Sequence, residues 1–423
     1  MKRDPIVLAQ DYILSGDDIG TKKANRNIMV VGTPGCGKTT SILIPSLARA
    51  ENSNPILSLP KERDAYAMRN FLESKGYEVD VLNLVTPEKS TVSHDPVLHT
   101  TSIRDIESLS ATIINSTIKK SNDDYWEKKG IPFLKSIITG TLMTSNDDNP
   151  GMEEVLKTFG RCLPREKGFS VETDLDEMFQ TINKADPGCS CAREYFAITS
   201  LATRTASCII DTVSCALSSV FPDSIRQLMK AKPLFDIEGF TKKKKALIMI
   251  TSSEDESVNL FANLVYRDIE KGLIRFANSC PRAELPREVI FYFDDMFCSA
   301  PLDGFARDLS LFRSAGMSAC LFLQSELQLD AVYKEEAPII RQNCSTYVFF
   351  PGGFDDKAAD LVSRRIGVPM EDVLFAPLGK IFVMESGSGR KPVHIPRYNT
   401  LESEEYQQYL KASSRAGAHH SRI

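Results

Sequence analysis

Short apolar runs recur along the chain, separated by mixed stretches with a helical period. The runs are Ile28-Met29-Val30-Val31, Pro55-Ile56-Leu57-Ser58-Leu59, Glu78-Val79-Asp80-Val81-Leu82, Ala246-Leu247-Ile248-Met249-Ile250, Val289-Ile290-Phe291-Tyr292-Phe293, Ala319-Cys320-Leu321-Phe322-Leu323, Thr346-Tyr347-Val348-Phe349-Phe350 and Lys380-Ile381-Phe382-Val383-Met384. Most are continuously apolar rather than alternating, which predicts strands covered on both faces. Helix-like stretches at 40–50 and 62–75 fall between the first of them. Strands and helices in alternation predict an α/β fold with a mostly parallel central sheet.

Between 121 and 204 the pattern changes. Residues 126–144 and 175–182 read as amphipathic helices, separated by polar turns such as Asn146-Asp147-Asp148-Asn149-Pro150. We read 121–204 as an inserted all-α domain. Residues 1–120 and 205–400 are then the two parts of the α/β domain, and 401–423 is a polar tail expected to fray. Ser253 and Glu256 fit a capping box opening a helix over 255–278, whose apolar set (Val258, Phe261, Leu264, Val265, Ile269) faces a core.

Composition narrows the class. The 423 residues are 42% hydrophobic and 25% charged, as in globular proteins with more than one typical core. The net charge of −5 confines any nucleic-acid surface to a local basic patch. No apolar stretch approaches the roughly 20 residues that span a bilayer, and Met1-Lys2-Arg3-Asp4-Pro5 lacks the apolar core of a signal peptide. The 10 cysteines are scattered, with Cys189 and Cys191 the closest pair, so neither a zinc site nor a disulfide framework is indicated. A reducing cytoplasm is the expected setting.

The first run leads into Gly32-Thr33-Pro34-Gly35-Cys36-Gly37-Lys38-Thr39, a complete G-x-x-x-x-G-K-T, followed by Thr40 and a helix-like stretch. Strand, glycine-rich loop and helix in that order make a phosphate cradle: loop N–H groups turn inward and the helix N-terminus adds positive charge. Residues 32–40 are therefore the candidate nucleotide-binding residues. Lys38 would reach the β- and γ-phosphates and Thr39 would ligate Mg²⁺, so the expected cofactors are ATP and Mg²⁺. Cys36 fills a variable position and is assigned no chemistry.

Such a loop needs a carboxylate on the metal side. The run Val289–Phe293 stops at Asp294-Asp295, which makes Asp294 the second metal-side group. Asp295 stands where many such ATPases carry Glu to orient the attacking water. It is one methylene shorter, about 1.5 Å, and a displacement near 1 Å costs on the order of 10²-fold in rate. Either the site is remodelled around Asp295 or turnover is slow. Arg313, in Leu311-Phe312-Arg313-Ser314-Ala315-Gly316, is open to two readings: a finger reaching a neighbour's γ-phosphate, as in ring ATPases, or, the reading spacing alone favours, an ordinary surface arginine. Gln324, at the end of the next run, suits a γ-phosphate sensor or a residue that holds the water; the competing reading is a plain helix start capped by Ser325, and position alone favours neither.

Together these pieces resemble the type IV coupling proteins, the conjugative DNA-transfer ATPases of type IV secretion. The resemblance runs over Asn27–Gly32 and the loop, Ile44-Pro45-Ser46-Leu47, Lys75-Gly76-Tyr77-Glu78-Val79, Val81-Leu82-Asn83-Leu84, Pro87-Glu88-Lys89-Ser90 and Tyr125-Trp126. Its most specific block is Asp294, Arg313-Ser314-Ala315-Gly316, Leu323-Gln324-Ser325, Gln328-Leu329, Tyr333 and Ile340-Arg341-Gln342-Asn343-Cys344. It implies a RecA-like motor domain with an all-α insertion, assembling as a homo-hexamer. It implies that ATP hydrolysis drives DNA, single-stranded and without sequence preference, or a relaxase–DNA complex, toward the components of a secretion channel. It also raises Arg313 to a finger acting on the neighbouring subunit and Gln324 to the sensor.

The sequence departs from that family at Asp294-Asp295 in place of Asp-Glu. It departs again at Leu59-Pro60-Lys61-Glu62-Arg63 in place of an Asp-Pro-Lys-Gly-Glu-like run, and at Asp95-Pro96 in place of Asn-Pro. Most members also begin with transmembrane helices. The expectation here is a cytoplasmic protein held at the inner face of the membrane through a partner. The alternative function is a slow or inactive nucleotide-binding adaptor that docks protein substrates. Lys242-Lys243-Lys244-Lys245, Lys119-Lys120 and Lys128-Lys129 read as solvated turns, or in a ring as phosphate-tracking clusters.

Overall fold

The sheet strands are β1 (Ile28–Gly32), β2 (Ser53–Leu59), β3 (Glu78–Asn83), β4 (Lys245–Ile250), β5 (Glu288–Asp294), β6 (Met317–Leu323), β7 (Thr346–Phe350), β8 (Lys380–Glu385) and β9 (Val393–Pro396). In this computed structural model residues 3–15, 25–117, 125–252, 255–294, 302, 304–352 and 356–420 are described. The strands form one 9-stranded sheet in the order β9-β8-β7-β1-β6-β5-β2-β4-β3. From β7 to β3 all pairs are parallel. β8 and β9 are antiparallel additions at one edge.

The eight apolar runs became the first eight strands; six are buried almost throughout, while β3, at the sheet edge, and β8 leave part of one face open. Ile28, Val30, Leu57, Ile248, Ile290, Phe322 and Val348 are all buried. β9 was not foreseen: Val393-His394-Ile395-Pro396 is half-exposed to exposed along its length, and Pro396 is tolerated because it ends an edge strand. The register positions the site. β6 lies between β1 and β5, with Leu323 opposite Val31 and Phe322 opposite Asp294. The C-terminal ends of β1, β5 and β6 therefore lie at one end of the sheet, where α/β sheets bind ligands.

The chain divides into two compact units, 1–92 with 235–254 and 269–423, and 93–234 with 255–268. The second is helical and reaches beyond 121–204 in both directions. The physical reason is packing: the helices Ile103–Thr117 and Thr203–Val220 contact both Tyr125–Thr144 and each other. This unit also holds a small hairpin, Arg165–Lys167 with Ser170–Glu172, turned at Gly168 (φ 63°). Its core includes Tyr195, stacked on Phe179 at 3.9 Å and on Phe133 at 6.0 Å.

Ser253 of the expected capping box lies outside the described residues. The helix Glu256–Ser279 is instead approached by Asp255, whose carboxylate accepts the Ser257 N–H at 2.9 Å. The tail expected to fray forms a helix, Glu404–His420. Tyr406, Tyr409 and Ala412 share one helical face, and it docks: Tyr409 meets Phe71 edge-on at 5.8 Å and Asn70 donates to the Ala412 carbonyl at 3.2 Å.

Asp4 ties the start of the chain to the α/β unit. Its carboxylate accepts the N–H groups of Glu51 (2.9 Å), Asn52 (2.8 Å) and Ser53 (2.7 Å), and the Ser53 hydroxyl (2.8 Å). Burial alone would push this carboxyl up, but the bonds from Asn52 and Ser53 outweigh it and hold it below the ordinary range. A depressed folded value means stability present above the unfolded carboxyl pKa and lost as pH falls through the folded one. Asp4→Ala should cost about 2–3 kcal/mol at pH 7 in urea unfolding. The gap from wild type should close as pH falls below about 4; a pH-independent gap would refute the account.

Candidate active site

β1 stops at Gly32 because nothing larger fits. A Cβ there would lie 2.6 Å from the Phe350 Cβ and 2.8 Å from the Cys36 sulfur. The loop then turns through Gly35 (φ 77°) and Gly37 (φ 95°), conformations that side chains resist. Thr39–Leu43 opens as a widened helical turn, with the Ile44 N–H bonded to the Thr39 carbonyl, before Ile44–Ala48 tightens. Pro45 explains the widening: it has no N–H to give the preceding turn and its ring crowds it.

Lys38 is buried and its ammonium donates to the carbonyls of Gly32 and Thr33, the latter at 3.2 Å. The Thr39 hydroxyl donates to the Asp294 carboxylate at 3.0 Å. Two residues far apart in sequence thus meet at the mouth of the loop, although β6 separates their strands. Burial pushes the Cys36 thiol up, so it is not a thiolate nucleophile at neutral pH.

Gln324 is half-buried and follows Leu323 directly, level with the start of the loop. Ser325 does cap the next helix, Glu326–Tyr333, accepting the Leu327 N–H at 3.2 Å. Glu326 is buried between Arg341 at 2.7 Å and Arg365 at 3.1 Å, which pins this helix start. Asp295 lies outside the described residues. Arg313 is not brought to this end. It is exposed on the last turn of the helix Phe305–Ala315, beside the N-terminal end of β6.

Sequence reasoning missed two residues at the loop, both just beyond β9. Arg397 donates to the Cys36 carbonyl at 2.8 Å, and the Thr400 hydroxyl donates to the Thr40 carbonyl at 2.6 Å. No local motif marks them; only the β8–β9 hairpin delivers them. The tetralysine run has intramolecular partners. Lys244 pairs with Glu51 at 2.7 Å, Lys245 with Glu78 at 2.6 Å, and Lys242 lies 5.2 Å from the centre of the Phe276 ring. Lys119-Lys120 lies outside the described residues. Among the described residues no group of three or more His, Cys, Asp or Glu could hold a metal ion by itself. A hydroxyl and one carboxylate fit Mg²⁺, which keeps waters and takes substrate phosphates as ligands.

Comparison with known proteins finds the same architecture. The architecture is matched by the unbound ΔN70 form of the bacterial conjugative coupling protein TrwB, at TM-score 0.66 and 16% identity over 90% of this chain and 88% of that one. TrwB in complex with ADP and Mg²⁺ matches at TM-score 0.66 and 16% identity, covering 90% and 87%. VirB4 of Thermoanaerobacter pseudethanolicus matches at TM-score 0.59 and 11% identity, covering 96% and 98%. The fold is that of a RecA-like P-loop NTPase.

Residues 288–373 match the family model described as the TraM recognition site of TraD and TraG. That segment starts in β5 and contains Asp294, Arg313 and Gln324. The model covers this segment alone, and the structural likeness, at 16% identity, is one of fold. No curated protein matches the sequence. No single helix among the described residues is long and apolar enough to cross a membrane.

Proposed function

We propose that the protein is an ATP-hydrolysing coupling protein that recruits DNA, or a relaxase–DNA complex, and moves it to a type IV secretion channel. The observation that carries this reading is the Thr39–Asp294 pair at 3.0 Å, which closes a phosphate loop and an acidic strand end into one site. TrwB, of like fold, has been crystallised with ADP and Mg²⁺ and with a non-hydrolysable ATP analogue.

In this reading the loop N–H groups and Lys38 hold the β- and γ-phosphates, and Lys38 exchanges its carbonyl partners for them. Thr39 and Asp294 would hold Mg²⁺, which would supply charge neutralisation at the phosphates. Gln324 faces the γ-phosphate, and Asp295 orients the water. The protein works as a homo-hexamer on the cytoplasmic side, reaching the membrane through a partner. The likeness of residues 288–373 to a TraM recognition region favours a DNA-processing complex as the cargo. With Lys244 and Lys245 in ion pairs, DNA contacts fall mainly to other basic groups, made to backbone phosphates without sequence readout.

The test is ATP turnover with and without single-stranded DNA. Turnover stimulated by DNA is expected, and Lys38→Ala should lower it by about 10²–10³-fold, the scale for losing one preorganised donor. Intact nucleotide binding with negligible turnover, DNA or not, would replace the motor by a docking adaptor.

A further inference from the structure

The segment beyond β9 is built onto the phosphate loop. The Arg397 N–H donates to the Gly379 carbonyl at 2.8 Å, fixing the residue against the turn before β8. Its guanidinium then donates to the Cys36 carbonyl at 2.8 Å. A Cβ added to Gly37 would lie 2.7 Å from the same nitrogen, so the guanidinium rests on the glycine where loop becomes helix. Thr400 fixes the next turn through the Thr40 carbonyl at 2.6 Å. Farther along, the Tyr398 hydroxyl donates to Glu405 at 3.2 Å, while Arg49 sits 3.5 Å from the same carboxylate. Arg397 is thus held by its backbone while its side chain stays exposed. A guanidinium has five N–H donors, and the Cys36 bond uses one.

Direction follows from the sheet. Asp294 and Gln324 reach the loop from the β6–β5 side of β1, which sets that side as the metal and γ-phosphate end. Arg397 reaches it from the β7–β8–β9 side. We infer that Arg397 is a nucleotide ligand from the same subunit, binding the α-phosphate and nucleoside end of a nucleoside diphosphate or triphosphate. This assignment rests on the nucleotide reading above. A planar, permanently charged fork suits that place, since it can donate to phosphate oxygens and stack on a base.

Titration of the full chain with fluorescent ATP and ADP, each with Mg²⁺, tests it. Arg397→Gln should weaken both about tenfold to a hundredfold, the range for hydrogen bonds to charged groups, and by the same factor. Arg397→Lys should lose less, and Arg390→Gln, on the turn between β8 and β9, should lose nothing. Thermal unfolding of each variant checks its fold, and Arg397→Lys carries the test if Arg397→Gln does not fold. Unchanged affinity in Arg397→Gln overturns the assignment. So does a loss confined to ATP, which would move the side chain to the γ end, or a gain in affinity, which would make it a latch. If the wild type and Lys38→Ala alike bind neither nucleotide, the nucleotide reading itself fails, a result separable from the others.

Discussion

Arg313→Ala should lower DNA-stimulated ATP turnover by about 10³–10⁵-fold, the range for an arginine finger, while leaving nucleotide affinity in the isolated chain nearly unchanged. The argument is positional. Asp294 and Gln324 stand at the C-terminal ends of β5 and β6, whereas Arg313 precedes the first residue of β6. β6 has 7 residues, and at about 3.3 Å each the strand alone separates Arg313 from its own phosphate loop by roughly 20 Å. No arginine side chain spans that gap, so any catalytic effect must be exerted on a neighbouring subunit. Arg313 is exposed and makes no ion pair among the described residues, so its removal should barely disturb the fold. Mixing Arg313→Ala with Lys38→Ala subunits should restore part of the activity, because some interfaces then pair an intact arginine with an intact lysine. Absence of rescue at every mixing ratio would remove the residue from catalysis.

The second large effect is on stability. Arg26 lies 3.4 Å from Glu288, both side chains 1% exposed, and Arg26 also donates to the Asp4 carbonyl at 2.5 Å. Burial pushes the Glu288 carboxyl up, and the Arg26 guanidinium opposes that rise. Removing Arg26 leaves a carboxylate in the core without its counter-charge, so Arg26→Ala should destabilise by about 3–5 kcal/mol at neutral pH. The sign of the pH dependence follows. Without Arg26 the folded value rises further above the unfolded one, the folded state binds the extra proton, and stability falls as pH increases. The deficit should therefore shrink toward pH 4.5 and widen toward pH 8. Arg26→Met with Glu288→Leu should recover most of the loss, since apolar replacements of buried pairs are often neutral. Urea unfolding of the three proteins decides it; a single variant as stable as wild type at pH 7 would show that the pair is dispensable.

Much of the α/β unit was legible because its strands are apolar on both faces, so β1, β5 and β7 announce themselves without any knowledge of their neighbours. β9 escaped because four half-exposed to exposed residues at an edge carry no such signal, and the hairpin of Ile6–Ala9 with Tyr12–Leu14 is just as short, at 4 and 3 residues. The docking of the Glu404–His420 helix was hidden for a related reason. A face of two tyrosines and an alanine looks polar until Phe71 is placed against it. At the site, residues 32–39 form a local motif and Asp294 ends a conspicuous strand. Those two motifs already assign Thr39 and Asp294 to one metal; what the sequence did not show is that β6 is inserted between their strands β1 and β5, across which they approach to 3.0 Å. Arg397 and Thr400 were invisible because their partners lie more than three hundred residues away in sequence.

The wedging of β6 has a mechanical consequence. Any shift of the phosphate loop relative to Asp294 must push on the strand between them, and that strand continues through Gln324 into Glu326. Gripped by Arg341 and Arg365, Glu326 would hand the push to the helices Ala337–Gln342 and Asp356–Ile366, turning a displacement at the triphosphate's tip into leverage on a distant face.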